Sequence, residues 1–553
     1  MPDPFDLSVR MVDEIVAERP SLATLLGVPG YDHLWDDLSP DGHGRMADLI
    51  RRQREDLVSH LDHPDPWQRH AARVMTEYLR EQTSAYERSE HLRQLRHTAG
   101  DFEDLRDIFD RMDTSTEAGW SNVINRLETF AQPLAGFRAS LNRGIQTGKV
   151  VARRQVLSVI EQARHLSGPS GRWLGLVRKA RAGAGSGLVD RLIGAIATAQ
   201  SAVAEFTRYL EETYLPAAMV PDGVGAERYV AEADRWVGLT IDPVETYQWG
   251  WDEVHRIATA MTKVAAEIDP DRDLEGVIEL LESDPAYAAP SQDAFAEFIQ
   301  DLQNQALSNL EGTHFDVPEA IRKVTVNLVP PGAALGAYYL SPTEDFTRPG
   351  GIWYSFGERE QIPLWGEVST GYHEGFPGHH LQIGTAMTLS ENLSRAHRLL
   401  IWYSGYGEGW ALYTERLMDE LGYFERPEYL LGMLGAQQLR ACRVVIDIGC
   451  HLGYRIPDHA LVGGGDLWSY EHGVETLHRV AGLPRDGSES ELKRYLGWPG
   501  QAISYKVGER TILDLREEVR LREGSKFNLK EFHRNLLGWG EVRLDYLREL
   551  AST

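Results

Sequence analysis

Apolar residues recur at helical spacing through most of the first 320 residues, and this periodicity constrains the fold more than any other feature of the chain. Residues 66–97 carry it in a setting rich in Arg and Glu, and residues 117–165 carry it as two helices broken near Gly148. It returns over residues 188–213, 243–267 and 292–309, and Pro20-Ser21 opens a shorter segment. The Gly/Ser-rich stretch at 167–187 is the strongest interruption. No segment repeats at a period of about 20–50 residues, which argues against a solenoid. The pattern implies a mainly α protein. At 553 residues the chain exceeds the size at which a single core usually stops growing. Two subdomains around a cleft, or one large helical body with lobes, is therefore expected.

The character changes near residue 320. KVTVNLVP (323–330) alternates and is β-branched, so it reads as a strand. AALGAYYLSP (333–342) and GGIWYSF (350–356) are short aromatic runs bounded by Gly and Pro, and the three together read as a small sheet. GGIWYSF is read either as an edge strand lining the cleft, to which an extended peptide adds, or as an ordinary sheet strand. Helices resume over 362–390, 398–420, 427–454, 473–482 and 505–522. The expected division is a helical region 1–320 forming one wall of the cleft and a metal-binding region 321–553, with an intertwined architecture as the alternative.

Charge narrows the function. Asp and Glu number 83 against 57 Lys and Arg, a net charge of −26, and no basic run supplies a local footprint for nucleic acid or an anionic membrane. Cys442 and Cys450 lie eight apart in one apolar helical stretch, too far for a disulfide, so free thiols are expected. The opening MPDPFDLSVRMVDEIVAERP has no basic segment followed by an apolar one, and no apolar run reaches about eighteen residues. The sequence expectation is a cytoplasmic protein with no membrane span.

The chemistry gathers in TGYHEGFPGHHLQ (370–382). In H-E-x-x-H helices two histidines one turn apart reach one zinc, and the Glu beside the first activates water. Here His373 and His379 are six apart, which puts them on different faces of a regular helix. Pro377 removes an N–H and clashes with the carbonyl four residues back, and Gly375 and Gly378 permit unusual backbone angles. A looped-out turn that returns His379 to the position of an ordinary second ligand is therefore expected. GEGWALYTERL (407–417) supplies Glu408 as a third ligand on a following helix, with Gly409 and Ala411 short enough for close packing against the first. Two His and one Glu with an open position is the catalytic zinc pattern, although manganese and iron accept the same ligand types.

HEGFPGHH, EGWALYTE (408–415) and PGQAISYKVG (499–508), followed by Arg516, together resemble the bacterial family called domain of unknown function 885. The resemblance is specific over 320–522 and looser in the helical N-terminal half. That family is in turn similar to the helical gluzincin peptidases, in which H-E-x-x-H and a later Glu hold zinc between helical lobes. The two-residue expansion between the histidines leaves either His379 or His380 as second ligand, and matching Gly-His to Gly378-His379 favours His379. The resemblance implies a large helical body with a deep cleft, and a zinc-dependent peptidase acting on short peptides, with Glu374 as general base. A zinc amidase or esterase would use the same atoms, and a binding protein with a relic metal site is the third reading. Tyr505, at the start of a late helix, is the candidate oxyanion donor. His451, ending an apolar helix, either orients substrate or is a satisfied core histidine. Arg516 either clamps a substrate carboxylate or pairs internally with Glu509 or Glu517. Tyr339, with Tyr338, is placed as a substrate contact.

Overall fold

The computed structural model describes residues 2–183, 185–329 and 336–552. It is mainly α, with short strands confined to the residues between 288 and 363. Two compact units are formed, one from Met1–Gly223 with Ser394–Leu400 and the other from Val224–Leu393 with Ile401–Thr553. The change of composition near 320 thus lies inside the second unit.

In the first unit, the helices Glu117–Glu128, Ala131–Thr147, Arg153–Ser167 and Ser186–Tyr209 enclose one aromatic-rich core. Gly148, at φ 68°, stops the second of these where the sequence places its break. Phe130 and Trp173 meet edge to face at 4.9 Å between ring centres, and both are buried. Burial of rings this size contributes about 2–3 kcal/mol each. The helix expected over 66–97 spans Pro66–Glu87; just past it Ser89 takes a left-handed φ of 62°. The Gly/Ser-rich stretch 167–187 holds a helix of its own, Leu174–Gly183.

The second unit contains α1 (Pro243–Ile268), α2 (Gln292–Leu310), β1 (Thr325–Leu328), β2 (Gly336–Leu340), β3 (Gly351–Ser355), α3 (Glu367–Glu374), α4 (His379–Thr388), α5 (Ser404–Glu420), α6 (Pro427–Leu452) and α7 (Ser504–Glu523). Asp242 caps α1 by accepting from the amides of Val244 and Glu245, with Pro243 in the first turn. α6 is apolar on nearly every face because residues on every face are buried, from Leu431 to Ile448. The segment expected as one helix over 398–420 is α5 preceded by a short helix, Arg395–Leu399, which belongs to the first unit.

β3 lies between β1, to which it is parallel, and β2, to which it is antiparallel. GGIWYSF is therefore a central strand, and the edge-strand reading is corrected: both its ladders are taken, so no peptide can add to it. Residues 330 and 333–335 of the expected strands lie outside the described residues. α2 covers the sheet through Phe295 and Ile299, which pack with Ile352 and Tyr354.

Candidate metal centre

The backbone between α3 and α4 decides where the histidines go. α3 ends at Glu374 and α4 begins at His379. Between them Gly378 N–H donates to the carbonyl of Tyr372, and His380 N–H donates to that of Gly375. This four-residue loop replaces the regular ladder. A Cβ on Gly378 would collide with the carbonyl groups of His373 and Tyr372, and one on Gly375 would stand 2.6 Å from Gln303 Cδ. Only glycine fits either place. Gln303 of α2 braces the loop, donating to the Gly371 carbonyl at 2.9 Å and accepting from Phe376 N–H at 2.6 Å. Trp410 of α5 donates to the Pro377 carbonyl at 3.0 Å.

The loop brings the two imidazoles edge to face, 4.9 Å between ring centres. Glu408, on the second turn of α5, reaches both: its Oε2 is 3.4 Å from His373 Nε2 and 3.5 Å from His379 Nε2. The ligand atoms of these three residues all lie within 4.8 Å of one another. The separations are long for hydrogen bonds. They match the edge of about 3.3 Å of a tetrahedron whose metal–ligand bonds are about 2.0–2.1 Å. The donor set fits a zinc-like dication.

A second carboxylate orients the first histidine. Glu415 is one hundredth exposed, and its Oε1 accepts from His373 Nδ1 at 2.7 Å while Oε2 accepts from Ser369 Oγ at 2.6 Å. A carboxylate only accepts, so the Nδ1 proton is fixed and Nε2 is the nitrogen left to face a metal. Burial lowers the His373 pKa, but Glu408 and Glu415 outweigh it and hold the imidazole up at about 9. Burial raises Glu408, and the two histidines overcome it to hold the carboxyl well below its usual range.

A model of the family described as "Bacterial protein of unknown function (DUF885)" matches residues 20–550. The chain belongs to the DUF885 family. It is similar to the crystal structure of a candidate lipoprotein from Colwellia psychrerythraea, at 23% identity over 99% of this chain and 98% of that one, with a TM-score of 0.86. It is also similar to a candidate lipoprotein of unknown function from Shewanella oneidensis, at 17% identity over the whole of both chains, with a TM-score of 0.74. These likenesses show a shared fold. No curated protein matches the chain.

The cytoplasmic expectation is corrected by the same findings, since both solved structures are described as lipoproteins. The lack of an apolar run in the opening residues describes those residues and does not fix a compartment. No helix among the described residues is long and apolar enough to cross a membrane.

Around the His373–His379–Glu408 cluster of this DUF885 member, the expected site residues sort into two groups. Glu374, half-buried beside His373, makes no side-chain hydrogen bond to a described residue. Burial, with Glu408 adding to it, raises its carboxyl above the ordinary value, against the pull of His373 and His379. Tyr505 stands in the first turn of α7, where burial and then Glu408 raise its hydroxyl pKa. It comes this near because Gly409 of α5 meets Gly508 of α7: a Cβ on Gly409 would lie 2.6 Å from Gly508 Cα. Gly409 therefore serves the α5–α7 contact, not the packing on the first histidine helix that its position suggests.

The others are engaged elsewhere. His380 donates Nε2–H to the Ile321 carbonyl at 2.8 Å, and its Nδ1 meets the Tyr339 hydroxyl at 3.2 Å. Burial lowers its pKa to about 4. His379, not His380, thus shares the cluster, and Tyr339 holds a buried ring in place. His451 lies in the last turn of α6. Its Nε2 meets the Tyr495 carbonyl at 3.2 Å and its ring packs on Tyr229 at 5.5 Å. Burial lowers its pKa to about 4, and it is a core histidine outside the cluster. Arg516 forms a two-armed ion pair with Glu420, 2.9 Å on each arm, and not with Glu509 or Glu517. The carboxylate-clamp reading fails because the guanidinium is already occupied. Sequence reasoning missed Glu415, Ser369, Gln303 and Arg440.

Proposed function

We propose that the protein is a zinc-dependent hydrolase that cleaves short peptides by attack of water, in the manner of the gluzincin peptidases its motifs resemble. The observation that carries the reading is the combination of two imidazole Nε2 atoms and Glu408 Oε2 at tetrahedral-edge spacing, with Glu415 fixing the Nδ1 proton of His373. His373, His379 and Glu408 would hold the ion. Zinc bound there supplies Lewis acidity, polarising a carbonyl and lowering the pKa of a water molecule.

The chain's own groups supply the rest. Glu374 lies beside the candidate ligands with no hydrogen bond from its carboxylate to a described residue, so it is free to take a proton from water and deliver it to the leaving nitrogen. Tyr505, whose hydroxyl donates to no described residue, serves as a donor to the oxyanion that forms at the scissile carbonyl.

Glu374→Gln tests the assignment. Zinc content should stay near that of the parent protein while hydrolysis of a mixed N-blocked peptide library falls by about 100-fold or more. Hydrolysis that survives the substitution would remove Glu374 from the mechanism, and a parent protein that binds no zinc would remove the proposal.

A further inference from the structure

Three arginines converge beside the candidate centre. Arg443 and Arg494 share Glu491, at 2.9 and 3.0 Å, and Arg443 Nε also donates to the Tyr495 hydroxyl at 3.0 Å. Arg443 is 8% exposed and its Nη1 has no hydrogen-bond partner. Its guanidinium covers the ring of Tyr505 at 4.6 Å. Arg440 sits three residues earlier on α6, on the same helix face.

Arg440 differs from the other two. Its Nη1 donates only to the Ala436 carbonyl of its own helix, and its Nε is buried with no acceptor. It pairs with no carboxylate among the described residues, yet part of its surface remains open to solvent. Near the start of α6, a Cβ on Gly432 would stand 2.9 Å from Gly366 Cα, so α6 begins against the residues that lead into α3. Along α6, Arg440 lies one turn before Arg443, whose guanidinium covers Tyr505. The charge of Arg440 acts on Glu374, Glu415 and Tyr505.

The charge is not balanced. Arg443 and Arg494 share the single carboxylate of Glu491, and Arg440 pairs with no carboxylate among the described residues. An uncompensated charge in a poorly solvated place is unfavourable, and an arriving anion relieves it.

We infer that Arg440 binds the terminal carboxylate of a short peptide whose scissile bond lies at the metal cluster, with Arg443 and Arg494 supplying the surrounding positive field. This rests on the peptide-hydrolysis reading and adds a substrate class to it: peptides cut near a free C-terminus. Tyr505 links the two regions: the Arg443 guanidinium covers its ring at 4.6 Å, and its helix meets α5 at Gly508 and Gly409, the latter next to Glu408.

The test uses binding, so that it does not depend on turnover. The probes are N-blocked tripeptides with a free C-terminal carboxylate and the same peptides as C-terminal amides. They are titrated by calorimetry into zinc-loaded Glu374→Gln protein, with and without Arg440→Gln. The carboxylate forms should bind about tenfold tighter than the amides or more, and Arg440→Gln should erase the difference while zinc content and thermal unfolding stay unchanged. Equal affinity for both forms, or a preference that survives Arg440→Gln, overturns the inference. If Arg440→Gln does not fold, the carboxylate-to-amide ratio on the parent background decides. Hydrolysis by the wild-type chain is read separately. Carboxylate-dependent binding without hydrolysis sinks the peptidase reading alone, and hydrolysis without carboxylate preference sinks this inference alone.

Discussion

Removing Glu415 tests whether the histidine cluster is a metal site or a chance meeting of polar groups. The side chain touches no metal position; it accepts from His373 Nδ1 at 2.7 Å and from Ser369 Oγ at 2.6 Å, and it is almost wholly buried. In Glu415→Ala both donors lose their acceptor and a cavity opens. The proton of His373 is then no longer held at Nδ1, so part of the population presents an N–H where a metal needs a lone pair. Loss of such an outer partner weakens metal binding by about 10- to 100-fold, or about 1.4–2.7 kcal/mol. Glu415→Gln separates charge from shape. Its amide oxygen still accepts from His373, and Ser369 can turn to accept from the amide nitrogen, while the charge-assisted bond falls to about half its strength. Zinc affinity in Glu415→Gln should therefore stay within about tenfold of wild type. Competition against a chromophoric chelator gives the affinities, and urea unfolding of the metal-free forms gives the stability loss, about 3 kcal/mol for Glu415→Ala. Zinc binding by Glu415→Ala as tight as wild type would refute the argument, as would a Gln variant no better than the Ala variant.

Other consequences follow from single positions. Gly378→Ala should lower stability by about 1–3 kcal/mol in urea unfolding and reduce zinc content, because the new Cβ meets backbone atoms of α3 that cannot rotate away. Gly366→Ala, where a Cβ meets nothing within 4 Å, is the neutral control. His533 is buried, with Tyr413 on Nε2 and the His314 carbonyl on Nδ1, and burial lowers its pKa to about 3. Below its unfolded pKa of 6.5 the unfolded chain takes up a proton that the folded chain refuses, so this residue's contribution is lost as pH falls from 6.5 toward 3. The loss is about 1.4 kcal/mol per pH unit within that window. His533→Gln should flatten the pH dependence of the urea midpoint by that slope, and an unchanged slope would show that the histidine titrates normally. Arg516→Gln should leave kcat/KM within about twofold and cost about 1 kcal/mol or less, since its ion pair with the half-exposed Glu420 is its main role. A large rise in KM would restore it as a substrate contact.

The parts of this site that were legible in the sequence are those whose signal is local. HEGFPGHH announces its own broken helix, because a proline and two glycines between the histidines leave no other way for both to face one point. Glu408 was found from its place in EGWALYTE. Glu415 closes the same motif seven residues later, and seven residues return a helix almost to the same face, so its partnership with the first histidine was also readable. Helix starts were equally local: Asp3-Pro4, Ser39-Pro40 and Asp65-Pro66 each pair a capping side chain with a proline in the first turn. What stayed hidden depends on distant chain. The partner of Arg516 is 96 residues away, and His451 meets a carbonyl 44 residues away. The central place of β3 follows from a parallel pairing with β1 that no turn encodes. His451 and Arg516 carry the right chemistry for a site, and only packing reveals that this chemistry is already satisfied.

α5 ties these pieces into one device. Glu408 and Glu415 lie nearly on one face of the helix, so one stands against Nε2 of His373 as a candidate ligand while the other fixes the proton on Nδ1 of the same histidine. Gly409 lies about 100° around from Glu408 and is the point at which α7 touches down. Trp410, one position further, holds the loop that carries His379. Any rotation of α5 would therefore disturb the candidate ligand, the orienting carboxylate, the loop and the approach of Tyr505 together. Gly409 and Gly508 let α5 and α7 approach to backbone contact, which a side chain at either would prevent, and Gly405 does the same for α5 against the backbone of Val237. The close crossing is what makes the register of α5 a fixed quantity, and a fixed register is what lets four functional contacts within eight residues agree with one another.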